Sequence, residues 1–204
     1  MPEDPRFLLF AIPAVILIGL AKGGFSGLGA LGTPLIALGI DPVRGAAILL
    51  PILIVQDVVG VIAYRLWVER GHVVQASSTS PGWVGTLFGA LSGFTSQIAH
   101  AGGPPFQMWV MPRRLPRDIF VGTSALFFAI VNWIKVPAYL ALGQFSTANL
   151  TASLALLPLA ILSSLAGVWL VRRVAPDRFY TIVYVLMIVA GAKLLFDGVA
   201  PALR

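Results

Sequence analysis

The sequence predicts an all-α membrane protein, a polytopic helical bundle of two inverted repeats that each contain a broken or re-entrant helix. Three observations predict it. The chain of 204 residues has only 14 basic and 8 acidic side chains, and 58% of it is apolar. A soluble domain covers its surface with roughly 25% charge; 11% is too little for that, and so apolar a chain is no candidate for disorder either. Second, apolar stretches recur at the length that crosses a bilayer. Third, 21 glycines and 15 prolines make up roughly 18% of the chain against a usual share of roughly 12%. Many fall inside apolar stretches, where smooth helices have no need of them. The absence of cysteine excludes a disulfide framework, a thiolate metal site and a cysteine nucleophile.

Taken in order, the first element is Phe7–Ala21, an apolar stretch of 15 residues. It is about 22 Å as a helix and too short to cross alone. Acidic Glu3 and Asp4 before it, and Lys22 after it, argue against a cleaved signal peptide. The run Lys22-Gly23-Gly24-Phe25-Ser26-Gly27-Leu28-Gly29 follows, then a short apolar piece reaching Ile40. Gly45–Tyr64 is a full span with one charge, Asp57. Trp83–Ala99 is again short and runs into His100-Ala101-Gly102-Gly103-Pro104-Pro105 and a piece ending at Met111. Ile119–Leu142, with Lys135, Leu150–Val171, with no charge, and Phe179–Ala200 complete the spans. Glycine and proline interrupt helices, and irregular backbone at membrane depth persists only where protein or a water-filled cavity satisfies it. Two broken segments in one chain therefore point to a site.

The halves resemble each other. Gly24-Phe25-Ser26 matches Gly93-Phe94-Thr95, Gly32 and Pro34 answer Gly102 and Pro104, and residues 46–64 lie over 121–139 without a gap. In that register Asp57 falls on Asn132 and Tyr64 on Tyr139. The repeats are expected at residues 1–75 and 76–204 within one integral membrane domain. Arginine clusters at 113–117 and 172–178 flank an uncharged loop, 143–149, which places both clusters on the cytoplasmic side. Arg65 and Arg70 occupy the equivalent of that uncharged loop, so the first half is expected inverted, with both termini outside if the breaks are re-entrant. The basic residues sit between apolar spans instead of on a face with aromatic platforms, which excludes nucleic acid as a partner.

Paired broken helices are a transporter design with the site at the repeat interface, and half-helix N-termini favour an anion. The rival account of the small residues is close helix packing. The expected anion cradle comprises Gly23, Gly24, Phe25 and Ser26 at the first break, and Thr95, Ser96, Gly102, Gly103 and Pro104 at the second. Thr33 and Thr123 add hydroxyls. Lys22, Lys135 and His100 add positive charge or hydrogen bonds, and Asn132 joins the halves. Asp57 lies mid-span, where a carboxylate must face protein or water; it is expected either to couple a proton or sodium ion or to bond a neighbouring broken helix. Ser96 and His100 form a one-turn nucleophile–base pair with no acid to orient the histidine, so no enzyme is expected. Two histidines and dispersed acids give no metal-ligand spacing, and nothing calls for a cofactor.

Several of these runs carry a family resemblance. Ala21-Lys22-Gly23-Gly24-Phe25, Ile48-Leu49-Leu50-Pro51 with Asp57 and Tyr64, and especially His100-Ala101-Gly102-Gly103-Pro104-Pro105 resemble the TauE/SafE family. Phe120-Val121-Gly122-Thr123, Asn132-Trp133-Ile134-Lys135 and Pro137-Ala138-Tyr139 do so as well. The similarity runs from about residue 20 to 193. It implies a multi-pass permease of the bacterial inner membrane that exports a small anion such as sulfite or an organosulfonate, with the bilayer and a second copy of the chain as candidate partners. Alternating access of the two repeats is the mechanism expected of such a design. A non-transporting membrane subunit and an anion channel are the alternatives. The chain departs from the family in its first half. About 18 residues separate Tyr64 from Trp83, where family members carry two further helices. That half has either lost them or continues in a segment outside this sequence.

Overall fold

A computed structural model describes residues 5–25, 28–67 and 81–199. Ser26, Arg70 and the expected repeat boundary at 75/76 lie outside the described residues. The elements are helices throughout, with no strand among the described residues: α1 (Pro5–Lys22), α2 (Gly32–Ile36), α3 (Pro42–Trp67), α4 (Gly82–Ala99), α5 (Gly103–Val110), α6 (Arg117–Ala141), α7 (Thr147–Arg173) and α8 (Pro176–Val199). Short 3₁₀ turns at Leu28–Leu31 and Met111–Arg113 join α1 to α2 and α5 to α6.

Local chemistry sets these ends. Asp41 accepts the Arg44 backbone N–H at 3.1 Å, with Pro42 at the first helical position, where its missing N–H is harmless. Ser146 caps α7 through the Asn149 N–H at 3.3 Å. Pro5 opens α1 in the same manner and Lys22 prolongs it, so α1 has 18 residues. That is about 27 Å, and the expectation that this segment is too short to cross is corrected. Among the described residues four helices are long and apolar enough to cross a membrane: α1, α3 (to Leu66), α6 and α7. The expected span 179–200 forms a 24-residue helix whose described apolar stretch is Arg178–Val189. This is a multi-pass membrane protein.

α7 packs against both α1 and α3, and α3 also packs against α6. The α1–α7 approach is close because small residues face each other. A Cβ at Gly23 would lie 2.3 Å from the Gly167 carbonyl carbon, and one at Gly19 would lie 1.9 Å from Ser163 Oγ. Phe7, Ala14, Ile18, Ile48, Ile52 and Leu156 fill the core of this three-helix group. A second core gathers Phe25 from the first break and Phe106 from beyond the second with Phe120, Val171, Phe179 and Val183. Buried polar groups tie the layers: Ser153 Oγ donates to Ile48 O at 2.7 Å and Gln56 Nε2 to Ala160 O at 3.2 Å.

The helices α3 and α6 run antiparallel, and their ends meet reciprocally. The Tyr64 ring near the end of α3 covers Gly122 near the start of α6, where a Cβ would lie 2.0 Å from the ring. Tyr139 near the end of α6 packs with Ala46, Ala47 and Leu50 near the start of α3. Each broken helix folds back on its short partner, α2 on α1 and α5 on α4. The two breaks are nevertheless made differently. α1 stops at Gly24, whose φ of 139° suits only glycine. Gly93-Phe94-Thr95 stays inside α4, which stops seven residues beyond Gly93 at His100, with φ 52°. The expected match of Gly24-Phe25-Ser26 to Gly93-Phe94-Thr95 is therefore no match of breaking points.

Candidate functional site

Five polar residues from four parts of the chain meet between α1, α3 and α6 in one hydrogen-bonded line. Lys22 at the end of α1 donates to Asp57 Oδ1 on α3 at 2.5 Å. The other carboxylate oxygen accepts Asn132 Nδ2 on α6 at 2.6 Å. Asn132 Oδ1 accepts Lys135 Nζ at 2.8 Å, one turn along the same helix. Lys135 Nζ lies 2.8 Å from His100 Nδ1, and His100 Nε2 lies 3.0 Å from the Ala46 carbonyl. Asp57 and Asn132, equivalent in the sequence register, thus touch directly.

The line fixes protonation by elimination. A carbonyl only accepts, so His100 Nε2 carries the hydrogen that points at Ala46, and Nδ1 is left to accept from Lys135. His100 is a neutral imidazole. The backbone at His100 is left-handed, a conformation uncommon for non-glycine residues but one in which asparagine, aspartate and histidine are enriched. The pairing of Ser96 with His100 does not form, because both ring nitrogens are engaged elsewhere.

Lys22, Ser96, His100, Gly103, Asn132 and Lys135 line a cavity of about 50 Å³. At about 10–15 Å³ of such volume per water it holds roughly four waters. The other walls are small or apolar and include Gly29, Ala30 and Leu53. Phe128 also lines it, with its ring centroid 5.1 Å from Lys22 Nζ, a cation–π distance. The ionisable groups of the site are two lysine amines, one carboxylate and one imidazole. Lys22 has its ion pair. Lys135 is 1% exposed and has no ion-pair partner among the described residues.

The remaining candidates sit elsewhere. Gly23 and Gly24 pack closely against Gly167 and Val171 of α7. Phe25 belongs to the second core. Thr33 is buried, and its hydroxyl has no hydrogen-bond partner among the described residues. Thr95 Oγ1 donates to Leu91 O in its own helix at 2.9 Å. Thr123 is exposed. Gly102 holds the α4–α5 turn, its carbonyl accepting Ser92 Oγ at 2.6 Å, and a Cβ there would meet Ser92 O at 2.6 Å. Pro104 and Pro105 occupy the first turn of α5, so two of the four N–H groups that a helix start leaves free do not exist there. Gly102 and Gly103 alone keep theirs.

Sequence reasoning passed over Phe128, Ala46 and the small α7 residues Ser163, Ser164 and Gly167. Only the last group left a signal, small residues spaced four apart opposite Gly19 and Gly23. Gln107, fully buried with neither polar side-chain atom bonded among the described residues, was also missed. Among the described residues no three histidine, aspartate or glutamate side chains group as a metal site.

A family model, Sulfite exporter TauE/SafE, matches residues 66–194, which includes His100, Asn132 and Lys135, while Lys22 and Asp57 precede it. No curated protein and no solved structure matches the chain. The match covers more than half of the chain and agrees with the membrane-length helices: the chain belongs to the TauE/SafE family.

Proposed function

We propose that this protein exports a small anion, sulfite or an organosulfonate, across the bacterial inner membrane by alternating access of its two halves. Lys135 carries the proposal. Its amine is 1% exposed, its partners among the described residues are an imidazole and an amide, and it borders a cavity. A buried charge without a counter-charge is costly, and an anion in the cavity supplies one. Lys22 stands across the same cavity and shares its charge with Asp57. An entering anion competes with Asp57 for Lys22 and frees the carboxylate to take the coupling cation, a proton or sodium. The cavity admits an oxyanion head group, and a longer sulfonate tail needs the halves to part.

The reciprocal contacts of Tyr64 with Gly122 and of Tyr139 with Ala46 and Ala47 support two inverted repeats. Reciprocity of this kind is how a two-fold relation between like elements is recognised. Membership of an exporter family supports the direction. The test is flux from proteoliposomes loaded with sulfite or sulfoacetate. Wild-type protein should give flux above empty vesicles, responsive to an imposed proton or sodium gradient. Lys135→Met should reduce it at least about tenfold, the effect of losing one good charge-assisted contact, and Lys22→Ala should weaken apparent anion affinity. No flux above empty vesicles would sink the proposal, and flux indifferent to both gradients would make the protein a channel.

A further inference from the structure

Arginines gather at one end of the molecule, where α3, α5 and α7 finish and α6 and α8 begin: Arg65, Arg113, Arg114, Arg172, Arg173 and Arg178, together with Arg117. Three contacts establish that these ends are shared. Tyr64 covers Gly122, Arg117 donates to the Val171 and Val174 carbonyls at 3.2 and 2.5 Å, and the Tyr180 hydroxyl donates to the Leu115 carbonyl. Positive residues concentrate on the cytoplasmic side of membrane proteins, so this is the cytoplasmic end.

Three of these arginines have structural work. Arg117 closes the open carbonyls at the end of α7. Arg113 stacks on Trp109, 3.2 Å from its ring centroid, and Arg173 lies over Trp169 at 4.0 Å. Arg114 is exposed as well, and its backbone is held in the left-handed region at φ 47°. It borders a pocket of about 400 Å³ whose other walls are Met111, Leu115, Pro116, Arg117, Tyr180 and Tyr184. The lining thus combines two arginines, the apolar Met111, Leu115 and Pro116, and two phenols. Tyr184 continues along α8 to the outward apolar residues Ile188 and Leu195, so one side of the pocket faces the interface and the other meets hydrocarbon.

We propose that this pocket binds the phosphate head group of an anionic glycerophospholipid in the cytoplasmic leaflet. Guanidinium matches phosphate in geometry and charge, tyrosine favours the interfacial depth, and basic pockets between helices on this side suit anionic head groups. The apolar lining and the path along α8 favour a lipid over a free phosphate ion, which has no acyl chain to place there. The site is separate from the lysine-lined cavity and shares no residue with it.

The test is native mass spectrometry of the intact protein released from nanodiscs of phosphatidylcholine with increasing phosphatidylglycerol. Wild-type protein should retain phosphatidylglycerol in preference to phosphatidylcholine. Arg114→Ala should lower that retention about fivefold, the worth of one arginine at a membrane surface. Arg114→Gly, which relieves the left-handed backbone, should do the same and covers the case in which the alanine variant misfolds. Arg65→Ala removes an exposed arginine at the same end outside the pocket and should leave retention unchanged. Equal loss in the Arg65 and Arg114 variants, or none in the latter, would overturn the proposal in favour of diffuse attraction. Release of the lipid by millimolar inorganic phosphate would overturn the lipid as the occupant.

Discussion

α1 and α4 open the two broken hairpins and share a spacing of glycines, Gly19 in α1 with Gly23 just after it, and Gly89 and Gly93 within α4. Their surroundings are opposite. The first pair is pressed against the backbone and side chains of α7, whereas among the described residues a Cβ at Gly89 or Gly93 would meet nothing within 4 Å. The motif gives a helix the capacity for close approach, and only a partner makes use of it. α7 supplies that partner for α1. In the first half, where a corresponding helix would have to come from, about 18 residues separate Tyr64 from Trp83. The two hairpins also deliver different chemistry to the centre. The first brings Lys22, already paired with Asp57; the second brings His100 against Lys135, which has no carboxylate in contact among the described residues.

The largest expected effect comes from breaking the paired side. Asp57→Ala leaves Lys22 without its counter-charge and Asn132 without its acceptor. Removing one member of a buried ion pair costs about 3–5 kcal/mol, so thermal unfolding in detergent should shift sharply downward. Adding Lys22→Ala to it should restore part of the loss. If the double variant is no more stable than the single one, the pair is not what holds α1 to α3.

Gly23→Leu probes the seated glycine face. The added Cβ would lie 2.3 Å from the Gly167 carbonyl carbon, and backbone cannot swing aside as a side chain does. Overpacking typically costs about 1–3 kcal/mol, and here α1 and α7 must separate. Unfolding should be easier, and Lys22 should lose register with Asp57, which flux measurements would read as weakened transport. A Gly23→Leu protein as stable as wild type would mean that the α1–α7 approach is looser than described.

The spans and the polar line were legible for one reason: charge inside an apolar run is expensive and stands out. Asp57, Lys135 and His100, with Lys22 at a break and Asn132 by register, are the residues that converge. What stayed hidden was direction. Glycine serves a cradle and a close helix contact equally well, so composition could not tell that Gly23 and Gly24 face α7. A threonine hydroxyl at a break can equally turn to its own helix, as Thr95 does. The length of α1 was misjudged by the three residues Pro5, Arg6 and Lys22, a helix-starting proline and two long cations that apolar counting leaves out. The cavity depends on which helices are neighbours, and Phe128 and Ala46 gave no sign of that in the chain.

The smallest effect has the opposite sign. Gly93→Ala places a methyl where the structure has open space, at a helix-interior position where glycine is about 0.5–1 kcal/mol worse than alanine. The variant, and Gly89→Ala beside it, should unfold slightly later than wild type, with the same mass by cross-linking in membranes. The same methyl at Gly19 would collide with Ser163 Oγ at 1.9 Å, so the two substitutions should differ in sign although their local sequences are alike. Should Gly93→Ala instead destabilise the protein or change its cross-linked mass, the α4 face would be covered in the membrane, by a second copy of the chain or another helix. The contrast between a seated and a bare hairpin would then hold only for the isolated chain.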